Sequence, residues 1–239
     1  ALEAWSRPAW WGRAASEAVY RRLLAERERE VAGLLAPWEP DELIAGVEAR
    51  RGLLVCGSHV GARRVVRWAC TRSFPDLTIL AAGRPRAGAA GVIDARDRQA
   101  RSQFVTRAIR ALRHGGMILA APDGRQGSAS VDVEFLRRPV KMRAGMARIL
   151  ALSGAASVGL AAVWEGHRLR LRSEELPAAP PLRRAAPTWE LHWCRRYVAW
   201  LESLCGDDPA NLRLTGGFWS RAGDGVLPPP RRRRPRGPP

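Results

Sequence analysis

Lysine is all but missing from this chain: Lys141 is the only one, so the Lys+Arg total of 40 is almost wholly arginine, set against 23 acidic residues. That shortage of acid excludes a neutral surface and leaves a formal net charge of +17. Long hydrophobic runs are lacking as well. The best of them, Ile149 to Val163, follows Arg148 and is interrupted by Ser153, Gly154 and Ser157, whereas a spanning helix needs about 20 predominantly apolar residues in a row. No transmembrane helix is expected. Cysteine is sparse and badly spaced for metal or redox work, because Cys56, Cys70, Cys194 and Cys205 form no C-x-x-C pair and no zinc pattern. Each is expected as a reduced thiol in the core, and no metal site is expected. The opening residues, ALEAWSRPAWW, lack a basic stretch followed by an apolar one, so no secretory leader is read. The expected address is the cytoplasm or the periphery of a membrane.

What the chain does have is enough apolar material to fold. Its 239 residues are 46% hydrophobic, which suits a globular α/β protein able to bury a core. Residues 1–44 read as an N-terminal helical segment, 45–222 as an α/β domain and 223–239 as a Pro/Arg-rich tail without core-forming residues. Removing the five arginines of RRRRPRGPP still leaves +12, so the folded part is itself basic. A basic surface points to an acidic partner: an acidic carrier protein, an anionic membrane surface or nucleic acid.

Periodicity supplies the elements. Val19, Leu23, Leu24, Val31 and Leu34 recur at near-helical spacing, which predicts a helix over 13–35 that the prolines of APWEP then stop. From Gly52 short apolar runs alternate with helical stretches. The strands are GLLVC, LTILAA and MILAA, with helices over 62–71 and 98–113 between them. Continuous apolar strands joined by helices predict a mostly parallel central sheet flanked by helices, in a single domain. VDVEFLRRPV reads as an extended segment, AGMARILALSG as a helix and ASVGLAAVWEGHRLRLR as a hairpin. A proline-rich loop covers 176–187, and Thr188 is expected to cap a last helix.

Ligands of an open α/β sheet gather at the carboxyl ends of its strands. Three loops fall there: Ser58-His59-Val60-Gly61, Gly83-Arg84-Pro85-Arg86, and Pro122 to Ser128. His59, at a strand-to-helix junction among small residues, is the candidate base, whereas His114, His167 and His192 read as structural. Ser58, Arg63, Arg64, Arg84, Arg125 and Ser128 are the candidate substrate-binding residues. Guanidinium groups bind phosphate, sulfate and carboxylate in a bidentate manner, so the arginines either converge on one anion or stand solvated.

The order of these segments resembles a known family. A strand ending in His59-x-Gly61 comes first, then LRHGGMILAAPDG-x-x-GS, V-x-V-x-FLRRPVK and GMARILALSGA, and finally YVAWLESLCGDDPANLRLTGGFW. Together, over about residues 45–220, they are similar to the lysophospholipid acyltransferase superfamily, which includes the glycerolipid and lipid A acyltransferases. The resemblance implies a glycerolipid acyltransferase-like fold. It also implies that His59 deprotonates an acceptor hydroxyl or amine that attacks an acyl thioester, with acyl-coenzyme A or an acyl-carrier thioester as co-substrate and no bound cofactor. The family places an acidic residue five positions after its histidine, and here that position is Arg64. Asp123 is the candidate replacement and stands with His59 as the second catalytic residue. Two readings of it remain: partner of His59, or cap of its own glycine turn.

Three functions follow as expectations. The first is an acyltransferase-like enzyme of a biosynthetic pathway. The second keeps the fold for a cyclase or lyase, in which His59 deprotonates an amine or hydroxyl and an arginine-bound sulfate or phosphate leaves a substrate tethered to an acidic carrier protein. The third is an inactive scaffold subunit within a hetero-oligomer. Nucleic-acid binding is disfavoured, because no helix-turn-helix, zinc finger or RNA-stacking motif is present.

Overall fold

The computed structural model describes residues 2–38, 52–81, 92–94, 98–124, 129–179, 187–212 and 217–221. The expected tail over 223–239 lies outside them, as do Arg84, Arg125 and Ser128.

Five parallel strands form the body of the sheet: β1 (Leu53–Cys56), β2 (Thr78–Ala81), β3 (Val92–Asp94), β4 (Met117–Ala120) and β7 (Ala156–Glu165). A sixth, β8 (Arg168–Glu175), pairs antiparallel with β7, and the order across the sheet is β3-β2-β4-β1-β7-β8. The central strand β1 is buried along its whole length, which is why it reads as an unbroken apolar run rather than an alternating one. Its side chains still divide by the pleat. Leu54 and Cys56 enter one core with Ile118, Phe104 and Trp193, while Leu53 and Val55 enter another with Val65, Val66 and Leu23.

Helices cover both faces. On the Leu53 side lie α1 (Leu2–Leu24) and α2 (Arg63–Ser73), and on the Leu54 side lie α3 (Arg98–Arg113), α4 (Gly145–Ser153) and α5 (Pro187–Asp207). A separate antiparallel hairpin, β5 (Ser130–Phe135) with β6 (Arg138–Arg143), packs against α5. Burying a Leu or Val fully contributes about 1.5–3 kcal/mol, so the two cores are the main source of stability. No helix among the described residues is long and apolar enough to cross a membrane.

Several elements depart from expectation. The N-terminal helix begins at Leu2, runs through Pro8 and ends at Leu24 instead of spanning 13–35. Past Leu24 the chain turns through Glu26, whose φ is 57°, and short 3-10 turns at Glu28–Glu30 and Ala32–Leu34. This break lets Val31 reach the core while Leu34 stays exposed, which a continued helix would not arrange. Gly12 allows the helix to pass the C-terminal segment closely, since a Cβ there would lie 2.1 Å from the Ala210 carbonyl oxygen. The segment VDVEFLRRPV is not one extended stretch but most of a hairpin, β5 with the start of β6, whose turn residues Leu136 and Arg137 both have positive φ, 51° and 60°. Thr188 is not the cap of α5, because the helix already begins at Pro187, a residue whose fixed φ suits a first helical position. Strand β3 had no counterpart in the sequence reading.

Candidate active site

His59 and Asp123 are brought together by register. Strands β1 and β4 pair in parallel with Cys56 opposite Ala120, and the Gly57 N–H extends that ladder to the Ala120 carbonyl at 2.8 Å. His59 and Asp123 each stand three residues beyond their paired positions, at the carboxyl edge of the sheet. The Asp123 carboxylate is fully buried and makes two contacts with His59: Oδ2 accepts from the backbone N–H at 2.6 Å, and Oδ1 lies 2.8 Å from the ring Nδ1. A carboxylate only accepts, so Nδ1 carries the proton and Nε2 is left as the basic nitrogen. The His59 side chain is 14% exposed and Asp123 is 0% exposed, so the ring meets solvent while its partner does not. Of the two readings of Asp123, partner of His59 is the one the geometry matches.

The surrounding residues hold this pair rigidly. The Tyr197 hydroxyl, from α5 and fully buried, donates to the Gly57 carbonyl at 2.8 Å and is itself hydrogen-bonded by the Asp123 backbone. Burial first, and then the Asp123 charge, push the Tyr197 hydroxyl well above its ordinary pKa, so it stays a neutral donor. The same two causes hold the Cys56 thiol up, which excludes it as a nucleophile at neutral pH. The Phe218 N–H fixes the far side of the Asp123 loop, donating to the Asp123 carbonyl at 2.8 Å. Behind His59, Gly61 has φ of +68°, and a Cβ there would lie 2.2 Å from the Ala162 carbonyl oxygen. Glycine is therefore required by conformation and by space. The Gly61 N–H donates to the carbonyl of Asn211 at 2.7 Å, and the buried Asn211 side chain clamps Trp164 through its N–H and carbonyl at 2.6 and 3.1 Å. Trp164 in turn reaches Ser16 of α1 at 3.0 Å.

The remaining expected site residues divide. Ser58 is buried, and its hydroxyl is used within its own turn, donating to the Val60 carbonyl at 2.9 Å and accepting from the Val60 N–H at 3.1 Å. It braces the loop and presents nothing to a substrate. Arg64 bonds Glu17 of α1 at 2.6 Å and lies over the Tyr20 ring at 5.3 Å, so its charge is engaged by a carboxylate of α1. Arg63 makes no hydrogen bond or ion pair among the described residues. It lines, with Arg13, Ser16, Glu17, Gly61 and Arg64, a solvent-open cavity of about 20 Å³. His114, His167 and His192 are all exposed, and none has a side-chain hydrogen bond or ion pair to an acid among the described residues. All four cysteines are buried and free, and no cluster of metal ligands occurs among the described residues.

Glu17 and Tyr197 escaped the sequence reading. Tyr197 is one of only two tyrosines and sits on the buried stripe of α5, a signal of burial that does not specify its partner. Glu17 is one of two acids on α1, with Glu3, and nothing in its spacing names Arg64 as its partner. A larger, mostly apolar opening of about 230 Å³, lined by residues such as Leu35, Trp38, Val65, Trp68 and Leu171, lies between α2 and β8 and does not include His59.

No family model matches the chain, and no curated protein is significantly similar to it.

Proposed function

We propose that this protein is an acyltransferase-like enzyme in which His59 is the general base. One observation carries the reading: the imidazole at the carboxyl edge of a parallel sheet, with Nδ1 held by a buried carboxylate and Nε2 uncommitted. The order of sequence motifs that resembles the lysophospholipid acyltransferases adds to it, and so does a mostly parallel sheet flanked by helices, with His59 on the loop between β1 and α2.

In the step envisaged, His59 Nε2 removes the proton from an acceptor hydroxyl or amine as that oxygen or nitrogen attacks the carbonyl carbon of an acyl thioester. The tetrahedral intermediate then collapses and the carbon–sulfur bond breaks. The departing thiolate takes the proton from Nε2, so the base is regenerated and an ester or amide is released. Asp123 holds the ring and stabilises the imidazolium while it carries the proton. Acyl-coenzyme A and an acyl group on an acidic carrier protein are the two donor classes, the second favoured by a surface of net charge +17.

The test incubates the full chain with acyl-coenzyme A and acyl-carrier thioesters of graded chain length, together with hydroxyl and amine acceptors, and follows thiol release. His59→Ala is expected to reduce turnover about 10²- to 10⁴-fold. Thiol release that is absent for every donor, or unchanged in His59→Ala, overturns the reading.

The cyclase or lyase reading shares the same base and draws on the unpaired Arg63. Release of inorganic phosphate or sulfate without any thiol would identify it. The intact His59–Asp123 pair weighs against an inactive scaffold.

A further inference from the structure

We propose that Arg13 and Arg63 form a binding site for a substrate phosphomonoester beside His59, a site that rests on the reading of His59 as the base. The cavity at the junction of α1 and the His59 loop is lined by three guanidinium groups, those of Arg13, Arg63 and Arg64, and by one carboxylate, Glu17. Glu17 is bonded to Arg64 at 2.6 Å and also lies 3.6 Å from Arg21 on its own helix. That leaves Arg13 and Arg63 with no ion pair among the described residues, so at this cavity three guanidinium groups face a single carboxylate that is already bonded to one of them.

The environment of Arg63 sharpens the point. Its side chain reaches the surface, yet its pKa is drawn below the usual guanidinium value, first by partial burial and then by Arg64, with Arg13 adding to the same effect; Asp123 and Glu17 oppose them. A cation crowded by cations is stabilised by an incoming anion. The backbone N–H groups of Arg63 and Arg64 also make no hydrogen bond among the described residues, and they open α2 at the same spot.

The chemistry of the ligand follows from charge and space. A phosphomonoester carries about −1.5 to −2 at neutral pH and matches two unpaired guanidiniums, where a carboxylate or sulfate ester would match only one. A solvent-open cavity of about 20 Å³ has room for the terminal oxygens of a tetrahedral group, with the rest of the ligand outside it. Because Arg63 is four residues from His59 and within electrostatic reach of Asp123, a phosphate held there anchors the substrate next to the base. The phosphate belongs either to the acyl donor or to the acceptor.

Equilibrium binding to the full chain at low salt, without any acyl thioester, tests this independently of turnover. The probes are coenzyme A, 3′-dephospho-coenzyme A and O-phosphoethanolamine, read by calorimetry. Arg63→Gln and Arg13→Gln are each expected to weaken binding about tenfold or more, and Glu17→Gln to tighten it roughly two- to five-fold by freeing Arg64. Coenzyme A binding that depends on its 3′-phosphate assigns the site to the donor, and binding of O-phosphoethanolamine without coenzyme A assigns it to the acceptor. Binding of none of the three, or binding indifferent to both arginine variants in protein with unaltered circular dichroism, overturns the proposal. Loss of thiol release with intact Arg63-dependent binding would instead overturn acyl transfer alone.

Discussion

Replacing Asp123 by asparagine separates positioning from folding. The carboxylate takes two hydrogen bonds from His59, at 2.6 Å from the backbone and 2.8 Å from the ring. Asparagine keeps one oxygen, which can still serve the backbone N–H, and turns an NH₂ group toward Nδ1. Two donors then oppose each other unless the imidazole moves its proton to Nε2. After that shift the contact is satisfied again, as an N–H to Nδ1 bond, but Nε2 no longer accepts a proton. A charge-assisted bond worth about 1.5–3 kcal/mol is exchanged for a neutral one worth about 0.5–1.5, so stability falls by about 1–2 kcal/mol. In a chain of this length each kcal/mol shifts Tm by about 2–4 °C, giving a fall of about 2–8 °C. Turnover suffers far more, because the wrong tautomer removes the base: the expected loss is about 10³- to 10⁴-fold, the scale seen when the acid of a serine-hydrolase triad is made an amide. Thiol release gives the rate, thermal unfolding the stability, and nitrogen-detected NMR of the His59 ring the tautomer. A loss smaller than tenfold, or a wild-type ring protonated at Nε2, would refute the argument.

Further outcomes follow from the same geometry. Tyr197→Phe removes the donor to the Gly57 carbonyl inside a fully buried site, and is expected to cost about 1–3 kcal/mol in urea denaturation and to lower turnover with it; an unchanged midpoint and rate would show that the hydroxyl does not hold the loop. The thiols of Cys70, Cys194 and Cys205 are pushed by burial from 9.0 up to about 12, so between those values the unfolded chain sheds protons that the folded chain keeps. Stability is then present in full below pH 9 and falls as pH rises toward 12, by up to about 1.4 kcal/mol per pH unit for each thiol. Urea midpoints at pH 8, 9 and 10 check this, and a flat series would contradict it.

Much of the architecture is legible because the decisive signals are local. Leu53 to Cys56 and Met117 to Ala120 are apolar runs too short for helices, and His114-Gly115-Gly116 ends α3 with Gly115 at φ of 82°. The hairpin turn was not legible, since Leu136 and Arg137 occupy conformations that favour glycine or asparagine. Its geometry is set by pairing across the hairpin, including Val133 opposite Val140, and by packing on α5. The start of α1 was obscured by Pro8 and Gly12, which local propensity counts against a helix, yet tertiary contact with Ala210 overrides that count. The pairing of His59 with Asp123 was named as one of two readings. Choosing between them takes the strand order, because β4, and not β2, lies beside β1.

That strand order also bears on Arg64, which stands where the lysophospholipid acyltransferases that the sequence resembles place an acid. An acid five residues after the histidine would orient the ring from the first turn of α2. Here the orienting group comes from the neighbouring strand, through a parallel register that places His59 and Asp123 at matching heights. Position 64 is thereby relieved of any duty to the imidazole. A carboxylate there would face Glu17 as a like charge, whereas Arg64 bonds Glu17 at 2.6 Å and ties α1 to α2. The same contact engages the one carboxylate that lines the cavity, so that Arg63 and Arg13 are left without an ion pair there among the described residues. A single substitution, Arg64→Glu, therefore ought to disturb the helix contact and the anion site while leaving the ring where Asp123 holds it.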